Sequence, residues 1–131
     1  MQDSIFTKII KGEISCHKVY EDELTIAFMD INPVQPGMVL VIPKKQIDHF
    51  TDLPDEDYEA VMRTVKKVGV KMREVFSGKR VAVMVEGLDV PHAHVKLFPF
   101  ASPAEYRSLP NTSTEPNHPA LAQMAEKLKV E

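Results

Sequence analysis

The sequence predicts a single α+β domain: an antiparallel sheet of about five short strands with one long helix on one face. Three observations point there. Val, Ile, Thr, Tyr and Phe cluster in runs of strand length separated by turn residues. Residues 54–78 hold one extended apolar period of 3.6. The 131 residues, 44% hydrophobic and 27% charged, suffice for one core and one domain.

Bulk properties exclude several functions. A net charge of −3 and a pI near 5.9 argue against a general nucleic-acid or acidic-membrane binder, so any positive charge that matters is local. Cys16 is the only cysteine, which rules out an internal disulfide and suits a reducing compartment. No apolar run approaches the ~20 residues that span a bilayer, and the start of the chain lacks the basic and apolar segments of a signal peptide. A cytoplasmic protein is expected.

The elements follow in order. Residues 4–10 read as a short helix, with Ser4 as N-cap, Ile5, Phe6, Ile9 and Ile10 on one side, and Gly12 as the stop. Residues 17–20 and 24–30 are strand-like and flank an acidic turn, Glu21-Asp22-Glu23. A second turn, residues 32–37, leads to an unbroken apolar run, residues 38–42, bounded by Gly37 and Pro43 and expected at the centre of the sheet. Lys44, Lys45 and His49 read as solvated surface. Pro54 and the acids 55–57 open the long helix, whose stripe runs through Val61, Val65, Val68 and Met72 to Ser77-Gly78. A further apolar strand, residues 81–85, turns at Glu86-Gly87-Leu88-Asp89 into the last strand, 89–99. Residues 102–119 contain four prolines and read as an irregular tail. Pro119 then begins a short helix whose Leu121, Met124, Ala125 and Leu128 must bury against the body or a partner subunit. Residues 1–100 thus form the domain and 101–131 a tail. There is no internal repeat.

The chemistry concentrates in residues 89–99. With a strand's period of two, His92, His94 and Lys96 share one face and Ala93, Val95 and Leu97 the other, core-facing one. At about 3.3 Å rise per residue the three basic groups stand roughly 6 to 7 Å apart, a row of donors suited to phosphate. Two histidines and a lysine on a half-exposed strand are also common surface residues. A metal-dependent His-x-His site is a further possibility, but it lacks nearby Cys or acidic ligands.

The run Pro91-His92-Ala93-His94-Val95-Lys96-Leu97-Phe98-Pro99 resembles the signature of the histidine triad (HIT) family, His-x-His-x-His-x-x with apolar residues between, except that Lys96 stands for the third histidine. The opening residues 4–14, the Val-Tyr-Glu-Asp at 19–22 and the Ala-Phe-Met-Asp-Ile-Asn-Pro at 27–33 resemble the family too, so the likeness covers about residues 3–100. It implies a HIT-like fold and a nucleotidyl hydrolase or transferase acting on purine nucleoside phosphoramidates or dinucleoside polyphosphates. His94 is then the nucleophile on the α-phosphorus, His92 orients the site, and Lys96 donates to a phosphate oxygen. Asp30 holds the ribose hydroxyls, Phe28 and Ile31 sandwich the base, Ile5, Phe6 and Ile9 wall the nucleoside, and Asp89 sits among the phosphate contacts. A homodimer is also implied.

The roles make chemical sense. A neutral imidazole is a fair nucleophile near neutral pH, a carboxylate can accept from both hydroxyls of a cis-diol, and Lys is a point cation that cannot readily pass a proton. The chain departs from the family at Val85, where many members have Asn, and at Leu88, where they have Gln. With Lys96, these changes leave open a catalytically weakened nucleotide-binding or scaffold protein. Several relatives build a zinc site from cysteines at the positions of Ser4 and Thr7 and a histidine at that of Gln46. Hydroxyls and an amide do not make a tetrahedral zinc site, so no metal and no cofactor are expected.

Overall fold

The computed structural model describes residues 2–110 and 112–131. Helix α1 (Ile5–Ile10) is followed by strands β1 (Lys18–Glu21), β2 (Thr25–Met29) and β3 (Val39–Pro43), then the long helix α2 (Asp55–Val75). Strands β4 (Arg80–Met84) and β5 (Val95–Phe100), the four-residue α3 (Pro103–Tyr106) and the tail helix α4 (His118–Leu128) complete the chain. All strand pairs are antiparallel, in the order β1-β2-β3-β5-β4. The fold class read from the sequence is the one observed.

Side-chain alternation divides the core in two. Ala27, Met29, Val39, Val41, Val95 and Leu97 turn to one face, where Val61, Val65, Val68 and Met72 of α2 cover them. Ile26, Phe28, Leu40, Ile42, Ala82 and Phe98 turn to the other, where Phe6 of α1 packs. With both faces covered, β2 and β3 are buried at every position, and this explains why residues 38–42 read as a continuous apolar run. Gly37 enters β3 from the turn at φ +93°, and a Cβ there would lie 2.7 Å from the Phe76 ring, so only glycine fits.

Two expectations need correction. The histidine run is not strand throughout, because β5 begins only at Val95. Pro91 has no N–H to give a ladder. The His92 N–H bonds to the Val90 carbonyl (2.8 Å), and the Ala93 N–H bonds to that of Ile47 (2.7 Å), so residues 89–94 lie against the loop after β3 as irregular chain. The tail, secondly, is not irregular up to Pro119. Ser102 caps α3, and α4 begins one residue early at His118, where the Asn117 side chain accepts from the Ala120 N–H (3.1 Å). Asn111 lies outside the described residues.

Helix α4 buries its stripe on its own body, with Ala125 and Leu128 in the α2-side core and the Val130 N–H bonded to the Val19 carbonyl (3.0 Å). Among the described residues no helix is long and apolar enough to cross a membrane.

Candidate active site

The strand register sets the floor of the site. Phe28 pairs with Leu40, Leu40 with Lys96 and Lys96 with Met84, so these four side chains form one row across four strands on the α1 face. Above that row opens a cavity of about 530 Å³, within the usual range for a small-molecule site. Ile5, Phe6 and Ile9 of α1 make one wall, and Asp30 and Ile31, just past β2, make a second. His94 and Asp89 come from the chain entering β5.

His94 is 2% exposed, and its tautomer follows from one contact. A carbonyl oxygen can only accept, so Nδ1–H donates to the His92 carbonyl (2.8 Å), and in the neutral ring the lone pair is on Nε2. Phe6 holds the ring edge-to-face, centroids 5.1 Å apart, and makes the same kind of contact with His92 and Phe28. One aromatic ring of α1 thus braces both imidazoles and the cavity floor.

His92 does not share a donor row with His94. It lies behind the cavity, fully buried, with Nε2 2.8 Å from the Pro43 carbonyl and Nδ1 2.8 Å from Ser4 Oγ. Burial above all holds its pKa below the ordinary value, with the charge of His94 adding to that and the Pro43 bond opposing it, so the ring is neutral at neutral pH. Ser4, Thr7 and Gln46 converge on it: Thr7 Oγ1 donates to Gln46 Oε1 (2.6 Å) and lies 3.4 Å from His92 Nδ1. These donors satisfy one another by hydrogen bonds, and among the described residues no group of three or more His, Cys, Asp or Glu side chains stands where a metal could be held.

The front of the site is charged. Lys96, only 7% exposed, is not the open cation that the sequence suggests: its Nζ donates to Glu86 (2.6 Å) and lies 3.6 Å from Asp89. Burial works against that charge, but the Glu86 hydrogen bond and the neighbouring carboxylates Glu86, Asp89 and Asp30 outweigh it and hold the ammonium above its usual pKa. Asp30 accepts the Asn32 N–H on Oδ1 (2.8 Å), and burial is the largest of the influences that raise its carboxyl above the usual range, against that bond and the charges of Lys96 and His94. The fold therefore sets Asp30 within the electrostatic reach of both basic groups.

Of the residues to which the family likeness gives a catalytic or binding role, His94, Lys96, Asp30, Asp89, Phe28, Ile31, Ile5, Phe6 and Ile9 all line this one cavity and His92 does not, while Val85 and Leu88 are exposed outside its lining. Lys44 and Lys45 pair elsewhere, with Glu21 (2.9 Å) and Asp57 (3.2 Å), and His49 is exposed. Sequence reading missed Cys16, His17 and His118 on the cavity wall. His17 Nε2 meets His118 Nδ1 at 2.9 Å, a contact 101 residues apart in the chain that no local pattern announces. Burial pushes the Cys16 thiol up, away from reactivity. Glu86 was also missed, hidden in a turn.

The HIT domain model matches residues 11–101. An uncharacterized HIT-like protein of Methanocaldococcus jannaschii is 39% identical over 99 residues, 72% of this chain and 77% of that one. An adenosine 5'-monophosphoramidase of Schizosaccharomyces pombe is 45% identical over 64 residues, 49% of this chain and 48% of that protein. Among solved structures, a HIT-like protein involved in cell-cycle regulation from Bartonella henselae superposes with a TM-score of 0.80 at 31% identity, covering 96% of this chain and 93% of the other.

Proposed function

Because the chain belongs to the histidine triad (HIT) family, we propose that it is a nucleotidyl hydrolase or transferase acting at the α-phosphate of purine nucleoside phosphoramidates or dinucleoside polyphosphates. The observation that carries this reading is the His94 Nδ1–H bond to the His92 carbonyl, on the wall of a cavity that also holds Asp30. Nε2 of His94 attacks phosphorus, the N–P bond forms, and the P–N or P–O bond to the leaving group breaks, a leaving amine taking a proton from solvent that the later hydrolysis by water gives back. The ring then carries positive charge, which the His92 carbonyl stabilises through the retained Nδ1–H. Water hydrolyses the N–P bond in turn, returning nucleoside monophosphate and the neutral imidazole.

Asp30 grips the ribose hydroxyls, and the base lies among Phe28, Ile31, Ile5, Phe6 and Ile9. Asp89 borders the phosphate end beside Lys96. The named activity of the fission-yeast relative supports a phosphoramidate as substrate. We read the protein as a cytoplasmic homodimer joined along β4, an edge strand of the sheet with Val83 49% exposed.

One observation favours a second reading, a nucleotide-binding or scaffold protein without turnover: Lys96 is already engaged by two carboxylates. The experiment incubates purified protein with adenosine 5'-phosphoramidate and with diadenosine tetraphosphate, without added metal. AMP release that falls at least about 1,000-fold in His94→Ala supports the enzyme. Tight binding with no release from wild type or Lys96→His supports the second reading.

A further inference from the structure

We propose that Ser4 is a positioning residue of this site, its hydroxyl proton fixing the ring of His92 together with the Pro43 carbonyl and, through the His92 carbonyl, the aim of His94. The inference rests on the reading of His94 as nucleophile, and the hydrogen bonds around Ser4 assign the proton. The Ser4 backbone N–H lies 2.8 Å from Gln46 Oε1, and a backbone N–H can only donate, so that end of the Gln46 amide is its oxygen. The Thr7 hydroxyl, 2.6 Å from the same oxygen, spends its proton there, while Gln46 Nε2 donates to the Gln2 carbonyl (2.8 Å). Ser4 Oγ already accepts from the Thr7 N–H (3.0 Å) as the N-cap of α1. Its own proton is left for His92 Nδ1, 2.8 Å away, since the alternative acceptor, Thr7 Oγ1, is farther at 3.3 Å.

The other side of the ring agrees. His92 Nε2 faces the Pro43 carbonyl at 2.8 Å, where a lone pair would be repelled, so Nε2 carries the hydrogen and Nδ1 must accept. Ser4 and Pro43 thus clamp the ring from both edges, with Ser4 5% and His92 0% exposed. The carbonyl of this same residue receives the His94 Nδ1–H. A side chain 88 positions upstream of His92 therefore helps hold the residue whose carbonyl aims His94.

The test uses three variants chosen to separate capping from proton donation. Ser4→Ala removes both, Ser4→Thr keeps both, and Ser4→Asp keeps the cap but can only accept, forcing a second proton onto His92. Ring-nitrogen NMR of the full chain is expected to show wild-type His92 protonated at Nε2 alone, the Thr variant the same, the Asp variant protonated on both nitrogens, and the Ala variant still protonated at Nε2 but with the His92 Nδ1 signal shifted by loss of its donor. Steady-state AMP release from adenosine 5'-phosphoramidate is expected to lose about tenfold in kcat with KM within twofold for Ser4→Ala, and to return in Ser4→Thr. A wild-type His92 protonated at Nδ1, or Ala and Asp variants that match wild type in both kcat and ring signals, overturns the proposal. If Ser4→Ala does not fold, the Asp variant decides, since its helix cap is intact. Absence of AMP release from wild type, with the ring-nitrogen changes as described, removes the enzymatic reading and leaves the Ser4 hold on the His92 ring standing.

Discussion

Behind His94, side chains from α1, the loop after β3 and the entry to β5 are joined by neutral hydrogen bonds around the buried Ser4 and His92; in front of it, the Lys96 ammonium, paired with Glu86, lines an open cavity with the carboxylates of Asp30 and Asp89. The bonds to the two imidazole rings are short and buried, so they specify single tautomers. The front contacts are ion pairs whose carboxylates are partly in water, Glu86 at 46% and Asp89 at 66% side-chain exposure, so they are weak enough for a substrate to rearrange. Rigid order stands where a proton must be placed, and exchangeable charge where a ligand must enter and leave.

Asp30 is where this contrast is most sharply testable, because it is a charged group under partial burial. Asp30→Asn keeps the acceptor for the Asn32 N–H but loses the carboxylate for the ribose diol. A hydrogen bond to a charged group contributes about 1.5–3 kcal/mol, so kcat/KM for AMP release is expected to fall roughly 10- to 100-fold. Stability moves the other way. Burial, as the main cause, raises the carboxyl pKa, so the folded state holds the proton more tightly than the unfolded one, and stability is lost as pH rises through that window. At pH 7 the wild type bears this cost in full, and the Asn variant is expected to melt higher, the gain vanishing as pH falls to 3.8 and below. A lower melting temperature at pH 7 would contradict this account of Asp30.

Lys96 gives the next effect. An ammonium held above its usual pKa by Glu86 and its neighbours gives up a proton poorly, so departure of the leaving group should depend steeply on that group's own basicity. Lys96→His puts a group that titrates near neutral pH at the same register position. Turnover of substrates with strongly basic leaving groups is expected to rise about tenfold while that of weakly basic ones barely changes, read as a flatter plot of log kcat against leaving-group pKa. Parallel plots for the two proteins would mean that Lys96 plays no part in leaving-group departure.

The front of the site was more legible in the sequence than the rear, for a physical reason. His94, Lys96, Asp30 and Phe28 belong to short runs whose period or turn chemistry is local, and a match of spacing suffices to single them out. The long helix and the central strand were readable on the same ground, as one unbroken period and one unbroken apolar run. What joins Ser4 to His92, His17 to His118, or Lys96 to Glu86 is contact made only after α1, the tail and the β4–β5 turn have docked, and no periodicity carries it. The strand assigned to residues 89–94 failed for a related reason. Alternation of polar and apolar residues was present, but the backbone partner was the Ile47 carbonyl of a loop, which alternation does not see.

The smallest expected effect lies at the rear, in the pH dependence of folding. Burial, chiefly, depresses the pKa of His92 below its ordinary 6.5, so between that value and the folded-state value the unfolded chain binds a proton that the native chain refuses. The sign follows: stability contributed by neutral His92 is complete above pH 6.5 and drains away as pH falls below it, at up to about 1.4 kcal/mol per pH unit for one proton. His92→Asn cannot titrate, so urea unfolding midpoints measured from pH 8 to pH 5 should slope less in this variant than in wild type, whatever its absolute stability. The comparison of slopes is needed because the variant also disturbs the Ser4 and Pro43 contacts, which shift the midpoint at every pH alike. Equal slopes would show that the rear network is not the acid-sensitive part of this fold.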